Sequence, residues 1–346
     1  MATIDDVAKK AGVSKSSVSR VLNNNYNHMS EEMKIKIQQA IQELNYKPNS
    51  VAQSLKKKET MVIGLVLADL APFWAEVIKG IQDEAMKNGY SLMVSDSSMN
   101  PSSEENNIDL LVSRQVDGLI INTINPNSMI FNQLKSEKIP FVFVNSRSEQ
   151  IDEDLVVVDN THGTIEALEY LIELGHKRIA IMLYPIENIM VRQERLDAYR
   201  KGLRQNNLPI DESLIKICKP EKDNGVETTL ELLKMENRPT AFLSTNANLT
   251  LEVLKGVRMA GLHVPNDISV IGYDDFDWTP LLDPPLTTVA INGFDMGSKA
   301  TNILIKKIKR KTKKKPETLK IIPELIIRNS SGMLKANAFE EINSSI

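Results

Sequence analysis

The spacing of hydrophobic residues changes at about residue 60, and this change divides the chain into two parts. Before it, apolar side chains recur at helical intervals, as in the i, i+4, i+7, i+8, i+11 series Met33, Ile37, Ala40, Ile41 and Leu44. After it, short apolar runs of strand length alternate with amphipathic stretches of helix length. The pattern predicts a small helical head followed by a larger body of alternating strands and helices.

The head carries the signals that begin and end three short helices. The predicted helices and their N-cap residues are 4–11 with Thr3, 15–23 with Ser14, and a third helix that begins at Ser30 and ends at Pro48. Asp6 lies three positions after the first cap and can complete a capping box. Gly12 lies in the tight turn between the first two helices. Two short helices joined by a glycine turn and closed by a third form a helix-turn-helix.

In the body, two similar series of strands and helices follow each other. The predicted strands are 61–68, 91–95, 117–123, 140–144, 155–158, 178–183, 214–218, 240–244, 268–273, 286–291 and 319–322, and the predicted helices are 72–87, 102–115, 127–137, 162–174, 192–206, 225–236, 248–260 and 294–309. Alternation of this kind predicts an α/β fold with doubly wound parallel sheets. The repetition predicts two lobes, with a ligand cleft near the carboxyl ends of their strands.

Composition excludes several classes of protein. The 346 residues are too many for one compact core, and a single cysteine, Cys218, excludes a disulfide scaffold and is typical of a reducing compartment. The longest apolar run has the length of a strand, and the N-terminus carries two acids and lacks the apolar segment of a signal peptide. We therefore expect a cytoplasmic protein without a membrane partner.

Charge is distributed unevenly, although the formal net charge is only −3. Residues 1–58 hold ten Lys and Arg against five Asp and Glu, so the rest of the chain has eight more acids than bases. The second helix begins with Lys15 and Ser16 and carries Arg20 one turn later, with Ser17 and Ser19 beside them. Lys and Arg donate to guanine in the major groove, and Ser contacts bases or phosphates. The head is therefore predicted to bind DNA, although a solvated polar helix face is the alternative.

Several motifs resemble those of the lactose-repressor (LacI/GalR) family of transcriptional regulators. In the head they are residues 3–8 (TIDDVA), 11–14 (AGVS), 18–23 (VSRVLN) and 44–49 (LNYKPN), and in the body Gly175-His176, Val264-Pro265, 271–274 (IGYD), 285–289 (PLTTV) and 328–330 (RNS). The resemblance covers about residues 2–331. It implies a homodimeric repressor of carbohydrate-metabolism genes that binds a pseudo-palindromic operator, needs no cofactor, and has a sugar-effector cleft in a body like a periplasmic binding protein.

The resemblance also implies domain boundaries. They are a head at 1–48, a hinge at 49–59, an N-terminal lobe at 60–161 and 291–322, a C-terminal lobe at 162–290 and 323–336, and a tail at 337–346. Thr3, Ser14, Asn23 and Asn49 lie within the matching motifs and join the predicted DNA-binding residues.

The hinge has the pattern of a short conditional helix over about 49–57. Ala52 and Leu55 share one face of it, and three lysines follow. By family resemblance Leu55 wedges into the minor groove at the centre of the operator, with Ala52 beside it, which bends the duplex. The alternative is that Leu55 only packs between domains.

Candidate effector-binding residues lie just beyond the strand ends. They are Phe73, Trp74, Asn122, Arg147, Arg192, Arg195, Asn246, Asp274 and Trp278, with Asp69 and Asn145 at equivalent positions. A sugar site needs planar donors and acceptors for hydroxyl groups and an aromatic face for the ring. The resemblance places Arg195, Asn246 and Asp274 in contact with the effector and the two adjacent aromatics at the rim. The alternatives are core packing for the aromatics and a turn cap for Asp274.

One departure from the family concerns the chemistry of the effector. Many relatives have an aspartate directly after the residue that matches Asn246, whereas this chain has Ala247. Loss of an anion beside several arginines favours an acidic sugar, because Arg binds carboxylates in bidentate fashion. A neutral sugar remains an alternative, and the sequence does not say whether the effector releases DNA or promotes its binding.

The sequence opposes two other functional classes. A solute-binding protein for transport is opposed by the basic head and by the missing signal peptide. An enzyme is opposed by the absence of nucleotide-binding and hydrolase motifs, and the four histidines are too far apart in the sequence to form a metal motif. The carboxylates Asp274, Asp275 and Asp277 lie in one loop and favour binding over glycosidase chemistry.

The basic run 306–315 is predicted to end a solvated helix, with phosphate contact as the alternative.

Overall fold

A computed structural model describes residues 2–27, 29–46, 59–309 and 315–334. The chain forms two compact units that divide between Met61 and Val62. The predicted hinge residues Asn49, Ala52 and Leu55 lie outside the described residues, as does the stretch 310–314 of the basic run.

The head unit contains the three predicted helices, α1 (Ile4–Ala11), α2 (Lys15–Leu22) and α3 (Glu31–Glu43). Thr3 caps α1 in a complete capping box with Asp6, and Ser14 caps α2 through a bond from the backbone N–H of Ser17. The core is small and apolar, with Val7, Ala8, Val18, Val21, Ile37 and Ala40 buried. Because α2 buries only Val18 and Val21, its remaining faces are available for contact with a partner.

Gly12 closes α1 in the left-handed conformation, with φ +67°. An added Cβ atom would meet no atom within 4 Å, so the requirement for glycine comes from the backbone conformation and not from space. We expect Gly12→Ala to lower the free energy of opening of the α1–α2 turn by about 1–2 kcal/mol. Hydrogen exchange of the head amides measures this change. Gly12→Asn is the matched control, since Asn tolerates this region; an equal loss in both variants would contradict the explanation.

The body contains two six-stranded sheets, one in each lobe. Sheet A has the order β11-β5-β4-β3-β1-β2 and sheet B the order β12-β10-β9-β8-β6-β7. The strands are β1 (Val62–Leu67), β2 (Ser91–Asp96), β3 (Gly118–Ile121), β4 (Phe141–Val144), β5 (Leu155–Val158), β6 (Ile179–Leu183), β7 (Ile215–Ile217), β8 (Ala241–Ser244), β9 (Ser269–Tyr273), β10 (Thr287–Ala290), β11 (Thr318–Ile321) and β12 (Glu324–Ile326). The predicted α/β class and the parallel doubly wound sheets are confirmed.

Helices cover both faces of each sheet. They are α4 (Phe73–Lys87), α5 (Pro101–Ser113), α6 (Ile130–Ser136), α7 (Asn160–Glu173), α8 (Met190–Gln205), α9 (Asn224–Leu233), α10 (Ala247–Met259) and α11 (Gly293–Lys309). Their apolar sides enclose the strands, which explains why β1, β3, β6, β8 and β9 are apolar along almost their whole length. The described residues contain no helix with both the length and the apolar character needed to span a membrane.

Several features differ from the prediction, and one is that α3 ends at Glu43, before Pro48. The helix expected at 127–137 begins only at Ile130, because residues 125–128 form a turn in which the Ser128 N–H bonds to the Asn125 carbonyl. Strand β12 was not predicted; it has three residues and pairs antiparallel with β10. Lys307, expected on a solvated helix, is half-buried and forms ion pairs with Glu153 and Asp154.

The chain crosses between the lobes three times. The crossings lie between β5 and α7, between β10 and α11, and between β11 and β12. They are packed against each other: the Asp159 N–H bonds to the Ile321 carbonyl at 2.9 Å, and a Cβ atom on Gly163 would lie 2.6 Å from Pro323 and 2.9 Å from Val289. The lobes are therefore connected by one tight group of segments at the edge of the cleft.

Candidate nucleic-acid interface and ligand cavity

Helix α2 presents the predicted DNA-contacting side chains to solvent. Lys15, Ser16, Arg20 and Asn23 are exposed, whereas Ser17 and Ser19 are half-buried. Arg20 forms no ion pair within the part of the chain that the structure describes, so its guanidinium keeps its full capacity to donate to a base edge. An exposed helix with a free arginine one turn from its start has the chemistry of a major-groove reader.

Other residues of the predicted DNA-binding set also shape the helix itself. The Ser14 hydroxyl lies 2.7 Å from the Ser16 hydroxyl and 3.0 Å from that of Ser17, and the Asn23 amide donates to the Ser19 carbonyl at 2.6 Å. Lys15 pairs with Asp5 at 2.6 Å, with both side chains exposed. An exposed pair of this kind contributes little to stability and exchanges readily for a phosphate contact.

A cavity of about 110 Å³ lies in the cleft between the two lobes of the body. Its lining comes from both lobes and consists of Ala68, Asp69, Ala71, Phe73, Trp74, Met99, Asn122, Thr123, Ile124, Asn145, Ser146, Tyr184, Ile189, Met190, Val191, Arg192, Arg195, Thr245, Asn246, Asp274 and Ile291. Seven of the nine predicted effector-binding residues are in this set, together with Asp69 and Asn145.

Arg195 is the most firmly held charged group of the cavity. It is only 8% exposed, its Nε donates to the Asn160 side-chain oxygen at 2.9 Å, and one Nη donates to the Thr245 carbonyl at 2.6 Å. The guanidinium also lies 4.1 Å from the centre of the Tyr273 ring. Two hydrogen bonds and a cation–π contact fix its orientation before any ligand arrives, which lowers the entropic cost of binding.

Asp274 and Asn246 stand at the ends of two strands beside this arginine. Asp274 follows β9 in the left-handed region with φ +68°, and burial raises the pKa of its carboxyl to about 6, against the opposing charge of Arg195. The Asn246 side-chain oxygen caps α10 by accepting the N–H groups of Asn248 and Leu249, so its amide nitrogen is the group left to donate. The C-terminal lobe therefore offers an acceptor and several donors to one ligand.

The N-terminal lobe supplies amides and aromatic rings. Asn122 is buried and bridges Ala68 and Val144, and the Asn145 side-chain oxygen is buried without a partner among the described residues. Phe73 and Trp74 pack edge to face with ring centres 5.2 Å apart, Trp74 being the more buried. A buried acceptor without a partner costs free energy, so a ligand that donates a hydrogen bond to Asn145 gains binding free energy.

Arg192 lies one helical turn before Arg195 on α8. It donates to the Pro185 carbonyl at 2.6 Å and lies 5.7 Å from the centre of the Tyr184 ring. Burial lowers the pKa of its guanidinium, while the charge of Asp69 across the cleft raises it. Arg192 is thus held mainly by its own lobe and faces a carboxylate of the other.

Two predicted residues lie outside the cavity. Arg147 is exposed between the buried Ser146 and Ser148, and Trp278 stacks on Phe276 with ring centres 5.5 Å apart. Conversely, several lining residues were not predicted: Thr123, Ile124, Ser146, Tyr184, Thr245 and Ile291. All of them follow the end of a strand, so the same strand-end rule, applied to every strand, finds them.

The carboxylates of Asp274, Asp275 and Asp277 do not converge on one site. Asp275 turns away into a bidentate pair with Arg328 at 2.7 and 2.9 Å and also accepts from Thr279 and Thr288. Asp277 is exposed, and Asp274 alone of the three lines the cavity. Within the described ranges no group of three or more metal-ligating side chains is placed to hold an ion.

A helix-turn-helix head with a separate two-lobed, ligand-binding body defines the class of regulators that bind DNA under the control of a small molecule. The family model for bacterial regulatory proteins of the lacI family matches residues 3–49, and that for the periplasmic binding protein-like domain matches residues 168–331. The chain belongs to the lacI family, and its fold and head are those of a transcriptional repressor of this type.

Individual proteins match along nearly the whole chain. The probable HTH-type transcriptional regulator EndR of Paenibacillus polymyxa is 36% identical and covers 97% of this chain and 99% of its own. The lac repressor dimer bound to operator and the anti-inducer ONPF has a TM-score of 0.84 at 29% identity, covering 96% and 99%. The transcriptional regulator CelR in complex with cellobiose has a TM-score of 0.72 at 27% identity, covering 96% and 100%.

Proposed function

We propose that the protein is a homodimeric repressor whose affinity for a pseudo-palindromic operator is controlled by a neutral sugar in the cavity. The observation that carries the proposal is the composition of the cavity wall. Two guanidinium groups, two carboxylates and three amides line it beside an aromatic pair. Sugar hydroxyl groups both donate and accept, and the apolar face of a sugar ring packs on aromatic side chains.

The balance of charge favours a neutral ligand over a sugar acid. Two guanidinium groups, Arg192 and Arg195, line the cavity, and two carboxylates, Asp69 and Asp274, line it with them. Asp69 thus supplies a second anion beside Asp274, although this chain has Ala247 where many relatives have an aspartate. A ligand carboxylate would meet two like charges as well as two opposite ones, so the gain that Arg provides is largely offset.

The ligand of one similar solved structure points in the same direction. The CelR structure contains cellobiose, a neutral disaccharide, and its fold matches almost all of this chain. The lac repressor structure is a dimer on its operator. These proteins support a sugar ligand, a second copy of the chain and a two-fold operator for this protein.

Two exposed edge strands of the body support the second copy. Strands β2 and β7 lie at the ends of their sheets, and Met93, Val94 and Ile217 on them are 39–45% exposed. Leu281, which is 81% exposed, adds a further apolar side chain. Exposed apolar edges favour association and are normally protected, so we propose that another copy of the chain covers them.

Thermal unfolding of the full chain tests the ligand class. Neutral sugars, including cellobiose and D-ribose, sugar acids and sugar phosphates are added separately, and a ligand at about a hundredfold excess over its Kd stabilises by about 2.7 kcal/mol. We expect stabilisation by a neutral sugar. Stabilisation only by sugar acids would overturn the charge argument, and no stabilisation by any sugar would overturn the sugar site.

The carboxyl of Asp274 makes sugar binding dependent on pH. A hydroxyl group donates to the ionised carboxylate, whose pKa is about 6, so affinity is complete above that pH and is lost as pH falls through it. We expect a roughly tenfold increase in Kd between pH 7.5 and pH 5, measured by isothermal titration calorimetry. Asp274→Asn should bind more weakly but without this pH dependence. An unchanged pH profile in that variant would show that another group titrates.

A further inference from the structure

The buried amide of Asn160 joins the cavity to the first crossing between the lobes. Asn160 is only 1% exposed and is the first residue of α7, directly after the segment that leaves β5. We propose that Asn160 is a positioning residue that transmits the state of Arg195, and hence the presence of the effector, to the relative orientation of the lobes. This inference rests on the proposed function.

The two ends of the Asn160 amide bond to different parts of the body. Its oxygen accepts from the Arg195 Nε at 2.9 Å, whereas its nitrogen donates to the Val158 carbonyl at 3.3 Å and to Glu194 at 2.9 Å. Val158 is the last residue of β5 in the N-terminal lobe, and Arg195 belongs to α8 in the C-terminal lobe. One side chain therefore links a cavity group of one lobe to the strand end of the other.

A ligand that moves the guanidinium of Arg195 also moves the Asn160 amide that is bound to it. Its Nε is bound to Asn160 and one Nη to Thr245, and its flat face covers the Tyr273 ring, whose hydroxyl lies 2.5 Å from that of Thr164. The planar guanidinium moves as a unit, so a tilt imposed by a ligand displaces the Asn160 oxygen as well.

The crossing is packed closely enough to pass such a displacement on. Asp159, the residue before Asn160, is tied to the end of β11, where the third crossing begins, by its bond to Ile321 and by an ion pair with Lys320 at 2.9 Å. Gly163 on the next turn of α7 has no room for even one methyl group beside Pro323 and Val289. Close-packed elements respond to small shifts by moving together, which is how lobe rotations arise.

Asn160→Asp separates this coupling from sugar binding. The aspartate keeps an oxygen for the Arg195 Nε but loses the donor toward Val158 and places a carboxylate against Glu194. The test is to measure the operator Kd of the full-length protein with and without a saturating neutral sugar, using cellobiose and D-ribose as the first probes. The ratio of the two Kd values is the coupling, which in such proteins is about 5–150-fold.

In Asn160→Asp we expect the ratio of the two operator Kd values to move toward one by about fivefold or more. The Kd for the sugar should change by a smaller factor. Asn160→Ala, which also removes the bond to Arg195, should lower the ratio and raise the Kd for the sugar, and it serves as a second variant if the aspartate does not fold. The matched control is Asn206→Asp at the far end of α8, where the amide donates to the Gly202 carbonyl of the same helix.

Separate outcomes overturn the inference and the proposed function. An unchanged ratio in Asn160→Asp, or an equal fall in Asn206→Asp, overturns the assignment of Asn160 alone. If the operator affinity of the wild type responds to no sugar, the proposed function is wrong and the assignment, which rests on it, is overturned with it.

Discussion

Replacing Arg195 by alanine is expected to weaken effector binding about 10- to 100-fold. A hydrogen bond to a charged group contributes about 1.5–3 kcal/mol, which corresponds to this range of affinity. The loss has a second component, because the Asn160 oxygen and the Thr245 carbonyl, which Arg195 satisfies, are left without their donor. Isothermal titration calorimetry with the sugar found in the thermal screen measures the change.

Arg195→Lys is the informative control for this variant. Lysine keeps the positive charge but lacks the planar fork that reaches Asn160 and Thr245 together. We expect it to recover only part of the affinity. Full recovery would show that charge alone matters, and an unchanged Kd in Arg195→Ala would remove Arg195 from the site.

Replacing Arg20 by alanine is expected to weaken operator binding about 5- to 150-fold, because a bidentate contact between arginine and guanine contributes about 1–3 kcal/mol of discrimination. Arg20 is exposed on α2 and is not committed to an ion pair with any described residue, so its removal does not disturb the core of the head. Fluorescence anisotropy with an operator selected from random duplexes measures the loss, and a nonspecific duplex should show a smaller one.

Lys15→Ala provides the contrast. Its ammonium is paired with Asp5 on the surface and is suited to phosphate, so we expect a similar weakening on every duplex and a salt slope lower by about one. If Arg20→Ala lowered specific and nonspecific binding equally, Arg20 would be a phosphate contact and the sequence would be read by another residue.

The sequence predicts local features of the fold well where a local interaction decides them. The capping box of Thr3 and Asp6, the Ser14 cap and the glycine turn all depend on residues close together in the chain. The strand-end rule also finds Asn122, Asn246 and Asp274, because the carboxyl ends of parallel strands meet at one edge.

Long-range pairing is what the sequence cannot show. Lys307 belongs to a uniform basic run, yet Glu153 and Asp154, more than 150 positions earlier, pair with it in the N-terminal lobe. Arg147 follows the same strand end as Asn145, two residues further on, but the buried serines on either side turn it outward. Such outcomes depend on which face of a loop packs, and a single sequence carries no local signal for this.

The most direct test of the whole account is a titration of the full-length protein into its selected operator, with and without the sugar that stabilises the body. We predict specific binding to a two-fold site and a change in operator Kd of about 5–150-fold when the sugar is present. A protein that binds the sugar but no specific duplex, or whose operator Kd is the same in both conditions, would contradict ligand-controlled repression and would favour a solute-binding protein.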